Sequence, residues 1–408
     1  MILYQVLKLD INQDPYDVLD AIRDGQQSIQ LPGGTVVDLV RCDTLAKPKF
    51  KSYHHMFDCE NPDANSRCPE VVNEATGFFV VEPGRSIVFY SGGELTQMAS
   101  SSLAQHETLE PAKVTPSSLE LVIIRRTAMG SGSDTSNQDQ PRTKWFCPNP
   151  SDGDLLYQWI RSVVELTHEG EMTQFGLTNG SRHTRHHKSE KGRQIPADAT
   201  ITSFGWGVSY RKKLLEEDCR AHDADVNGAG GIVWSLIAAT MPQSVIQEVT
   251  SKLSLHKVPH LVSRYIAPGK GYRIKLNERE YVFPDADRAP PPQLFMTWGY
   301  SAWSHTDPCY ATWAFNLNVG REQYETATSD SIDVPAYGGA NFVDVSLQVV
   351  VVNSAGTLMA FKPSHHHGTT VSGGTTNYYI TFAFSKDISD ALDNPGDRSY
   401  LGDCSWET

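Results

Sequence analysis

The 408-residue chain lacks any stretch that approaches the ~18 consecutive apolar residues of a membrane-spanning helix. Its first ten residues have no basic start and no long apolar run, so they predict no secretory signal. Positive charge is also scarce, because 35 Lys and Arg stand against 48 Asp and Glu, giving a net charge of −13. This balance argues against a protein that grips nucleic-acid phosphates over its whole surface, but it leaves room for a local basic groove.

Cysteines are few and irregularly placed. The seven are odd in number and scattered, and the sequence contains no Cys-x-x-Cys pair. This pattern predicts free, mostly buried thiols in a reducing compartment, and hence an intracellular protein, either cytoplasmic or nuclear. The chain does have 8 Trp, 16 Tyr and 15 Phe, which excludes disorder of the whole chain and is sufficient for a packed core.

Local patterns divide the chain into two regions. Residues 1–145 are mixed and loop-rich, and residues 146–408 contain helices followed by a β-rich unit over 270–390. Helices are predicted from apolar residues at helical spacing over 151–166, 232–241 and 242–255. Strands are predicted from alternation and β-branched content at 76–82, 85–90, 119–126, 272–276, 281–283, 294–298, 312–319, 342–353, 357–361 and 377–384. The sequence therefore predicts an α+β fold whose helices precede an all-β unit.

One segment runs against the acidic balance of the chain. Residues 179–194 contain five cationic side chains and one acidic one, Glu190. The cationic residues are Arg182, Arg185, Lys188, Lys191 and Arg193. Such a run is typical of a solvated loop, and the alternative is a contact for an anionic partner over 182–193.

Candidate metal ligands lie in the β-rich unit. His305 and Asp307 are two residues apart, so an extended segment would turn both side chains to the same ion. A third ligand is available about sixty residues later, where a predicted strand is followed by His365, His366 and His367. Two histidines and one carboxylate are the ligand set of non-haem Fe(II) oxygenases, and they leave coordination positions open. The alternatives are a hydrogen-bonded His–Asp pair in a turn and a surface histidine cluster without a role.

The order of strands and ligands over 270–390 resembles the core of the Fe(II)/2-oxoglutarate-dependent dioxygenases. The pattern Gly356-Thr, Phe361-x-Pro363 and His367-Gly368 is most similar to fungal members related to the base-oxidising TET/JBP-type group. The approach from Trp298 to Asp307, followed by Gly320-Arg321, is similar to Jumonji-type members.

The resemblance implies a fold and a chemistry. The fold is a double-stranded β-helix, a jelly roll of the cupin-like kind, with supporting helices and the loop-rich N-terminal region. The chemistry is oxidation of an unknown substrate with Fe(II) as cofactor and 2-oxoglutarate as co-substrate. The implied iron ligands are His305, Asp307 and His367, the last by analogy with the His-Gly pair of the family. His365 is the runner-up, since it shares a side with His367 if that segment is extended, whereas His366 points away.

The chain departs from the family at the residue that binds the distal carboxylate of 2-oxoglutarate. In the TET/JBP-type pattern a cation opens the strand after the distal histidine, where this chain has Asn377. No Lys or Arg occurs between Lys362 and Lys386. An amide can hydrogen-bond a carboxylate but cannot pair its charge. We therefore predict that Arg321 binds this carboxylate, with Asn377 and Tyr379 as hydrogen-bond partners.

Three functions remain open from the sequence. The first is an Fe(II)/2-oxoglutarate oxygenase, and the second is a non-catalytic β-helix binding protein that has lost co-substrate binding, which Asn377 favours. The third is a nucleic-acid base oxidase that uses 179–194 to contact phosphates. Aromatic residues near the predicted ligands are expected mostly in the core, with one or two lining a pocket for a planar substrate. They are Trp298, Tyr300, Trp303 and Trp313.

Overall fold

The computed structural model describes part of the chain, and all structural statements below refer to that part. The described residues are 18–31, 34–42, 77–92, 115, 118–125, 160–164, 183–186, 200–205, 217–256, 272–276, 279–283, 290–300, 302, 304–323, 338–370 and 375–393. The predicted loop at 127–143, most of the predicted helix at 151–166 and most of the basic segment 179–194 lie outside these ranges. Of that helix, residues 160–164 are described and are helical.

Strands dominate the described residues. In chain order they are β1 Ser28–Gln30, β2 Val36–Arg41, β3 Phe79–Val81, β4 Ser86–Tyr90, β5 Leu119–Arg125, β6 His183–His186, β7 Thr200–Gly205, β8 Tyr272–Leu276, β9 Arg279–Phe283, β10 Gln293–Trp298, β11 Ala314–Gln323, β12 Phe342–Asp344, β13 Val349–Val351, β14 Thr357–Phe361, β15 His367–Thr369 and β16 Thr375–Phe382. The helices are α1 Val18–Arg23, α2 Glu217–Thr240, α3 Gln243–Leu255 and α4 Lys386–Asp393. Among the described residues, none of the helices combines the length and apolar content needed to cross a membrane.

The strands form one large mixed sheet, one small mixed sheet and a hairpin. The large sheet has ten strands in the order β1-β2-β4-β5-β14-β11-β16-β10-β7-β6. The small sheet has the order β15-β12-β13-β3, and β8 pairs with β9 alone. All pairs in the large sheet are antiparallel except β2 with β4, and in the small sheet only β13 with β3 is parallel. Mixed sheets with few helices are compatible with a β-sandwich or jelly-roll core.

Alternation along the strands of the large sheet sends side chains to two different cores. On β11, Phe315 and Leu317 join the apolar cluster that contains residues of α1, α2 and α3, whereas Ala314 joins the cluster shared with the small sheet. Phe315 lies edge-on to Trp234 of α2, with ring centroids 5.7 Å apart. Because successive residues of a strand point to opposite faces, one sheet face is covered by helices and the other encloses the site.

The space between the two sheets is the part of the core that positions the site. Met359 and Phe361 of β14 are buried there against Phe342 of β12 and Val349 and Val351 of β13. Each fully buried side chain of this size contributes about 1.5–3 kcal/mol, so this contact holds the small sheet on the large one.

Most predicted elements are confirmed, and the differences have clear reasons. The segment 342–353 is two strands, not one, because residues 345–348 form a turn in which Gln348 has a φ of 61°. The adjacent strands β3 and β4 go to different sheets. The prediction that all helices precede the β unit is wrong, since α4 follows it. The helix predicted over 242–255 begins one residue later, at Gln243, with Pro242 as its N-cap residue.

Candidate metal centre

Three side chains that can ligate a metal ion converge in the space between the sheets. The ligand atoms of His305, Asp307 and His367 all lie within 4.8 Å of one another. The Asp307 carboxylate lies 3.6 Å from Nε2 of His305 and 3.4 Å from Nε2 of His367. Two imidazole nitrogens and one carboxylate that share a centre, with room left around them, suit a divalent transition metal such as Fe(II).

Backbone hydrogen bonds bring these distant residues together. His305 and His367 form an isolated antiparallel bridge in which each backbone N–H donates to the carbonyl of the other, both at 2.9 Å. The backbone N–H of Asp307 donates to the carbonyl of Pro363 at 2.8 Å. The imidazole rings consequently lie 4.6 Å apart. Because the main chain makes these contacts, replacing a ligand side chain leaves the bridge in place.

The hydrogen bonds of His367 determine which ring nitrogen can bind a metal. Its Nδ1 lies 2.9 Å from the carbonyl oxygen of His365, and a carbonyl can only accept, so Nδ1 carries a proton. In the neutral ring, Nε2 then has a lone pair that points toward Asp307. A lone pair facing a carboxylate at 3.4 Å requires a proton or a metal ion between them. The ring is 7 % exposed and packs against Phe342 and Phe361, which shield it from water.

Electrostatics keep Asp307 in the form that a metal needs. Burial alone would raise the pKa of Asp307, but the hydrogen bond from His367 and the charges of His305 and His367 outweigh burial and lower it. The carboxyl group is therefore ionised at neutral pH and adds the negative charge of the three-residue centre.

A cavity of about 320 Å³ opens beside the centre. Its walls come mainly from the two sheets and are apolar, aromatic, hydroxyl or amide in character. The lining residues are Ile201, Gln293, Phe295, Thr297, Tyr300, Ala302, His305, Asp307, Pro308, Cys309, Asn316, Phe342, Phe361, His367, Gly368, Thr369, Tyr379, Thr381, Ala383 and Ser385. Of the described residues in this lining, none is Lys or Arg. The volume is within the range of small-molecule sites.

Of the three residues predicted to bind the co-substrate, one lines the cavity directly and two do not. Tyr379 lines the cavity, whereas Arg321 and Asn377 are not part of the described lining. Arg321 and Asn377 stand directly opposite each other on β11 and β16, and Nη1 of Arg321 donates to Oδ1 of Asn377 at 2.9 Å. Nη2 of Arg321 donates to the carbonyl of Gly339 at 2.7 Å. Burial lowers the pKa of Arg321 to about 10, which leaves it charged at neutral pH.

Two amide side chains, Asn353 and Asn377, connect Tyr379 to the backbone at Ala340. Nδ2 of Asn353 donates to the Tyr379 hydroxyl at 2.7 Å and to the carbonyl of Ala340 at 3.0 Å. Nδ2 of Asn377 donates to the same carbonyl at 2.7 Å. Ala340 adopts a φ of 51°, a left-handed conformation that these two donors help to hold. Burial raises the pKa of Tyr379, so the phenol stays neutral.

His365, the alternative distal ligand, faces other partners. Residues 362–366 form a turn, in which the N–H of His365 donates to the carbonyl of Lys362 at 3.0 Å, so side chains do not alternate as in an extended segment. Nδ1 of His365 lies 2.9 Å from Oδ2 of Asp344, and Nε2 lies 3.5 Å from Oε2 of Glu120. His366 is exposed. The turn explains why His367 alone of the three histidines joins His305 and Asp307.

Sequence reasoning missed the charged neighbours of this turn. Glu120 lies inside the buried strand β5, Asp344 ends the buried strand β12, and Lys362 directly follows β14. A charge inside such a strand is rare unless it is paired, and that was the available signal.

The remaining candidates are spread around the site. Tyr300 lines the cavity, whereas Trp313 is 2 % exposed in the core and Trp298 packs edge-on to Tyr378. Trp303 lies outside the described residues. Cys309 lines the cavity as a free thiol, and burial raises its pKa to about 11. In the basic segment the described residues form β6, paired with β7 at the edge of the large sheet.

Comparison with known proteins gave structural neighbours only. No protein-family model matches the chain, and no curated protein matches it. The structure of NgTET1 in complex with 5mC DNA aligns with 95% of this chain and 91% of its own, at 9% identity and a TM-score of 0.37. A protein from Caulobacter crescentus named for the 2OG-Fe(II) oxygenase family aligns with 57% of this chain and 72% of its own, at 14% identity and a TM-score of 0.26. Because both TM-scores lie below 0.5, function is argued below from the site itself.

Proposed function

We propose that the chain is an Fe(II)- and 2-oxoglutarate-dependent oxygenase that oxidises a still unidentified substrate. The observation that carries the proposal is the convergence of His305, Asp307 and His367 in the lining of a cavity between two sheets. The donor set is that of non-haem Fe(II) oxygenases, in which one face of the ion stays open.

Strand order supports a double-stranded β-helix around this centre. From β10 onward the chain alternates between the two sheets. β10 lies in the large sheet, His305 then bridges to β15 of the small sheet, and β11 returns to the large sheet. The chain then forms β12 and β13 in the small sheet, β14 in the large, β15 in the small and β16 in the large. Repeated crossing between two facing sheets winds the chain into a jelly roll whose interior is the cavity.

The described residues fit an iron ion. His305, Asp307 and His367 would hold it, and when bound it supplies a Lewis-acidic centre that activates oxygen. The protein contributes the rest of the arrangement. The carbonyl of His365 keeps the proton on Nδ1 of His367, so Nε2 is available as a ligand. Phe342 and Phe361 exclude water from one side of that ring.

A 2-oxo acid fits the cavity in size, and Arg321 is the proposed partner of its distal carboxylate. Arg321 stands opposite Asn377, the position at which the TET/JBP-type resemblance places a cation. Its guanidinium bonds the Asn377 amide oxygen, so a positive charge lies at that position although it is contributed by the neighbouring strand. Asn377 and Tyr379 are proposed as the accompanying hydrogen-bond partners.

The direct test is optical. Anaerobic protein with Fe(II) and 2-oxoglutarate should show a weak visible charge-transfer band, and His305→Ala should abolish it. The matched control is His366→Ala, because His366 is an exposed histidine close to the same site. No band in the wild-type protein, or an equal band in His305→Ala, would refute the proposal.

A second candidate is a non-catalytic binding protein that retains the fold. It is supported by Asn377 and by the absence of Lys and Arg from the described cavity lining. It predicts that the protein binds a divalent metal without the band and without consuming 2-oxoglutarate.

The third candidate is a nucleic-acid base oxidase. Its substrate would be a base of the nucleic acid, and the basic segment 182–193 would contact the phosphates. This candidate is supported by the five cationic residues of that segment. It predicts salt-dependent DNA binding that is lost when those residues are neutralised. Unchanged binding in the neutralised variant would leave a small molecule or a protein as substrate.

A further inference from the structure

A buried ionic cluster lies next to the metal centre and outside the cavity lining. It consists of Glu120, Asp344, Lys362 and His365, whose side chains are between 0% and 17% exposed. Nζ of Lys362 lies 2.6 Å from Oε2 of Glu120. His365 connects the two carboxylates, with Nδ1 2.9 Å from Asp344 and Nε2 3.5 Å from Glu120. The His365 ring is therefore held at both nitrogens.

The cluster and the metal centre share one residue. The backbone carbonyl of His365 accepts the Nδ1 proton of His367, while the His365 side chain is held by Asp344 and Glu120. The same turn is fixed at its next residue, because the N–H of Val345 donates to the carbonyl of His366 at 2.8 Å. Any rotation of the His365 backbone would move the acceptor away from the His367 ring.

We propose that His365 is a positioning residue: its side chain, held between Asp344 and Glu120, fixes the carbonyl that sets the tautomer and direction of His367. The consequence for metal binding rests on the proposed function, whereas the tautomer itself is a property of the metal-free protein. When a group that orients a ligating histidine through its second nitrogen is removed, metal affinity commonly falls by about 10- to 100-fold.

The test uses the full chain and two measurements. Nitrogen-15 NMR of the imidazole rings of the metal-free protein should show the wild-type His367 protonated at Nδ1. His365→Gln has one nitrogen donor in place of the two ring N–H groups, so it cannot reproduce both contacts at their positions. In this variant the Nδ1 proton of His367 should be lost from part of the population. Titration with Co(II), followed by its visible absorption, should show an affinity about 10- to 100-fold weaker than that of the wild type.

Two further variants separate positioning from folding. His366→Gln changes the exposed neighbour and should match the wild type in both measurements. Glu120→Gln weakens the longer of the two His365 contacts, together with the Glu120–Lys362 ion pair, and leaves the Asp344 contact in place. It should give an intermediate effect on the His367 ring if His365→Gln proves poorly folded.

The outcomes distinguish this proposal from the proposed function. If His365→Gln lowers the melting temperature but leaves the His367 tautomer and the Co(II) affinity within twofold of the wild type, His365 is merely structural and the proposal is wrong. A wild-type His367 that lacks a proton at Nδ1 in the metal-free protein also overturns it. If the tautomer changes as expected but even the wild type binds no Co(II), positioning holds and the metal-dependent function fails.

Discussion

The role assigned to Arg321 gives the sharpest prediction about the co-substrate. If the Arg321 guanidinium binds the distal carboxylate, Arg321→Gln should weaken 2-oxoglutarate binding selectively. Binding of 2-oxopentanoate, which has the same keto-acid end and no distal carboxylate, should change little. The comparison within one variant separates loss of a charge contact from general damage to the site.

The size of the effect follows from the contacts of Arg321. A hydrogen bond to a charged group contributes about 1.5–3 kcal/mol, equivalent to about a 10- to 150-fold rise in the Kd for 2-oxoglutarate. The cost to the stability of the fold is of similar size, which is why the two 2-oxo acids are compared within one variant. Asn377 Oδ1 keeps the donor Nδ2 of Asn318 at 3.1 Å, so the main loss is the donor to the Gly339 carbonyl, about 1–3 kcal/mol of stability.

The assay is an anaerobic titration of the Fe(II) protein with each 2-oxo acid, read from the charge-transfer band. Arg321→Lys should recover part of the 2-oxoglutarate affinity, because it keeps the charge but loses the planar fork. Arg85→Gln is a matched control, since Arg85 is an exposed arginine paired with Asp38 on the large sheet. It should leave both titrations unchanged.

Two results would contradict the reasoning. Equal weakening of both 2-oxo acids in Arg321→Gln would mean that the side chain only supports the local fold. Unchanged 2-oxoglutarate binding would mean that the distal carboxylate is bound by another group than Arg321.

Three further predictions concern the metal centre and its support. Asp307→Asn should weaken Co(II) binding on the order of 100-fold, since it removes the carboxylate while the backbone bridge of the histidines stays; calorimetry showing wild-type affinity would contradict it. Lys362→Met should lower the free energy of unfolding by about 1–3 kcal/mol, because Glu120 loses its cation at 2.6 Å and keeps only His365 and Ser91 as partners. A loss below about 0.5 kcal/mol in urea unfolding would refute it. Burial would lower the pKa of His365, but its bonds to Asp344 and Glu120 raise the pKa to about 9. A raised pKa stabilises the fold fully below pH ~6.5, and this contribution, up to about 3 kcal/mol, is lost as the pH rises through about 9. The free energy of unfolding of the wild type should therefore fall between pH ~6.5 and about 9, and His365→Gln should not show this fall. An equal fall in the variant would contradict the assignment of the pH dependence to His365.

Local patterns predicted the strands well and their partners poorly. For five strands at least one predicted end lies within two residues of the observed end; they are β5, β10, β11, β14 and β16. This agreement arises because alternation and β-branched content are properties of adjacent residues. Pairing is not local. β3 and β4 are separated by one turn, yet β3 joins β13 and β4 joins β2 and β5. The three-residue strand β15 carried no pattern of its own and is defined by pairing with β12.

In the candidate site, too, local spacing predicted some residues and not others. The spacing of His305 and Asp307 was sufficient to nominate them, and the structure brings them together with His367. The spacing of His365 and His367 was misleading, because alternation applies only to extended chain and residues 362–366 turn. Asp344 is held beside His365 by the pairing of β12 with β15, a contact that no local pattern encodes.

Strands of the N-terminal region support the candidate metal centre, although its ligands all lie in the segment 270–390. Strand β5 pairs with β14 over five residues, and β3 pairs with β13, so strands before residue 145 continue both sheets of the β unit. Glu120 lies on β5 and reaches Lys362 and His365, 242 and 245 positions further along the chain. Because His365 in turn holds the acceptor of the His367 ring proton, a residue of the N-terminal region bears on the direction of a metal ligand. The segment 270–390 thus contains the candidate ligands, and part of what orients them comes from the other end of the sequence.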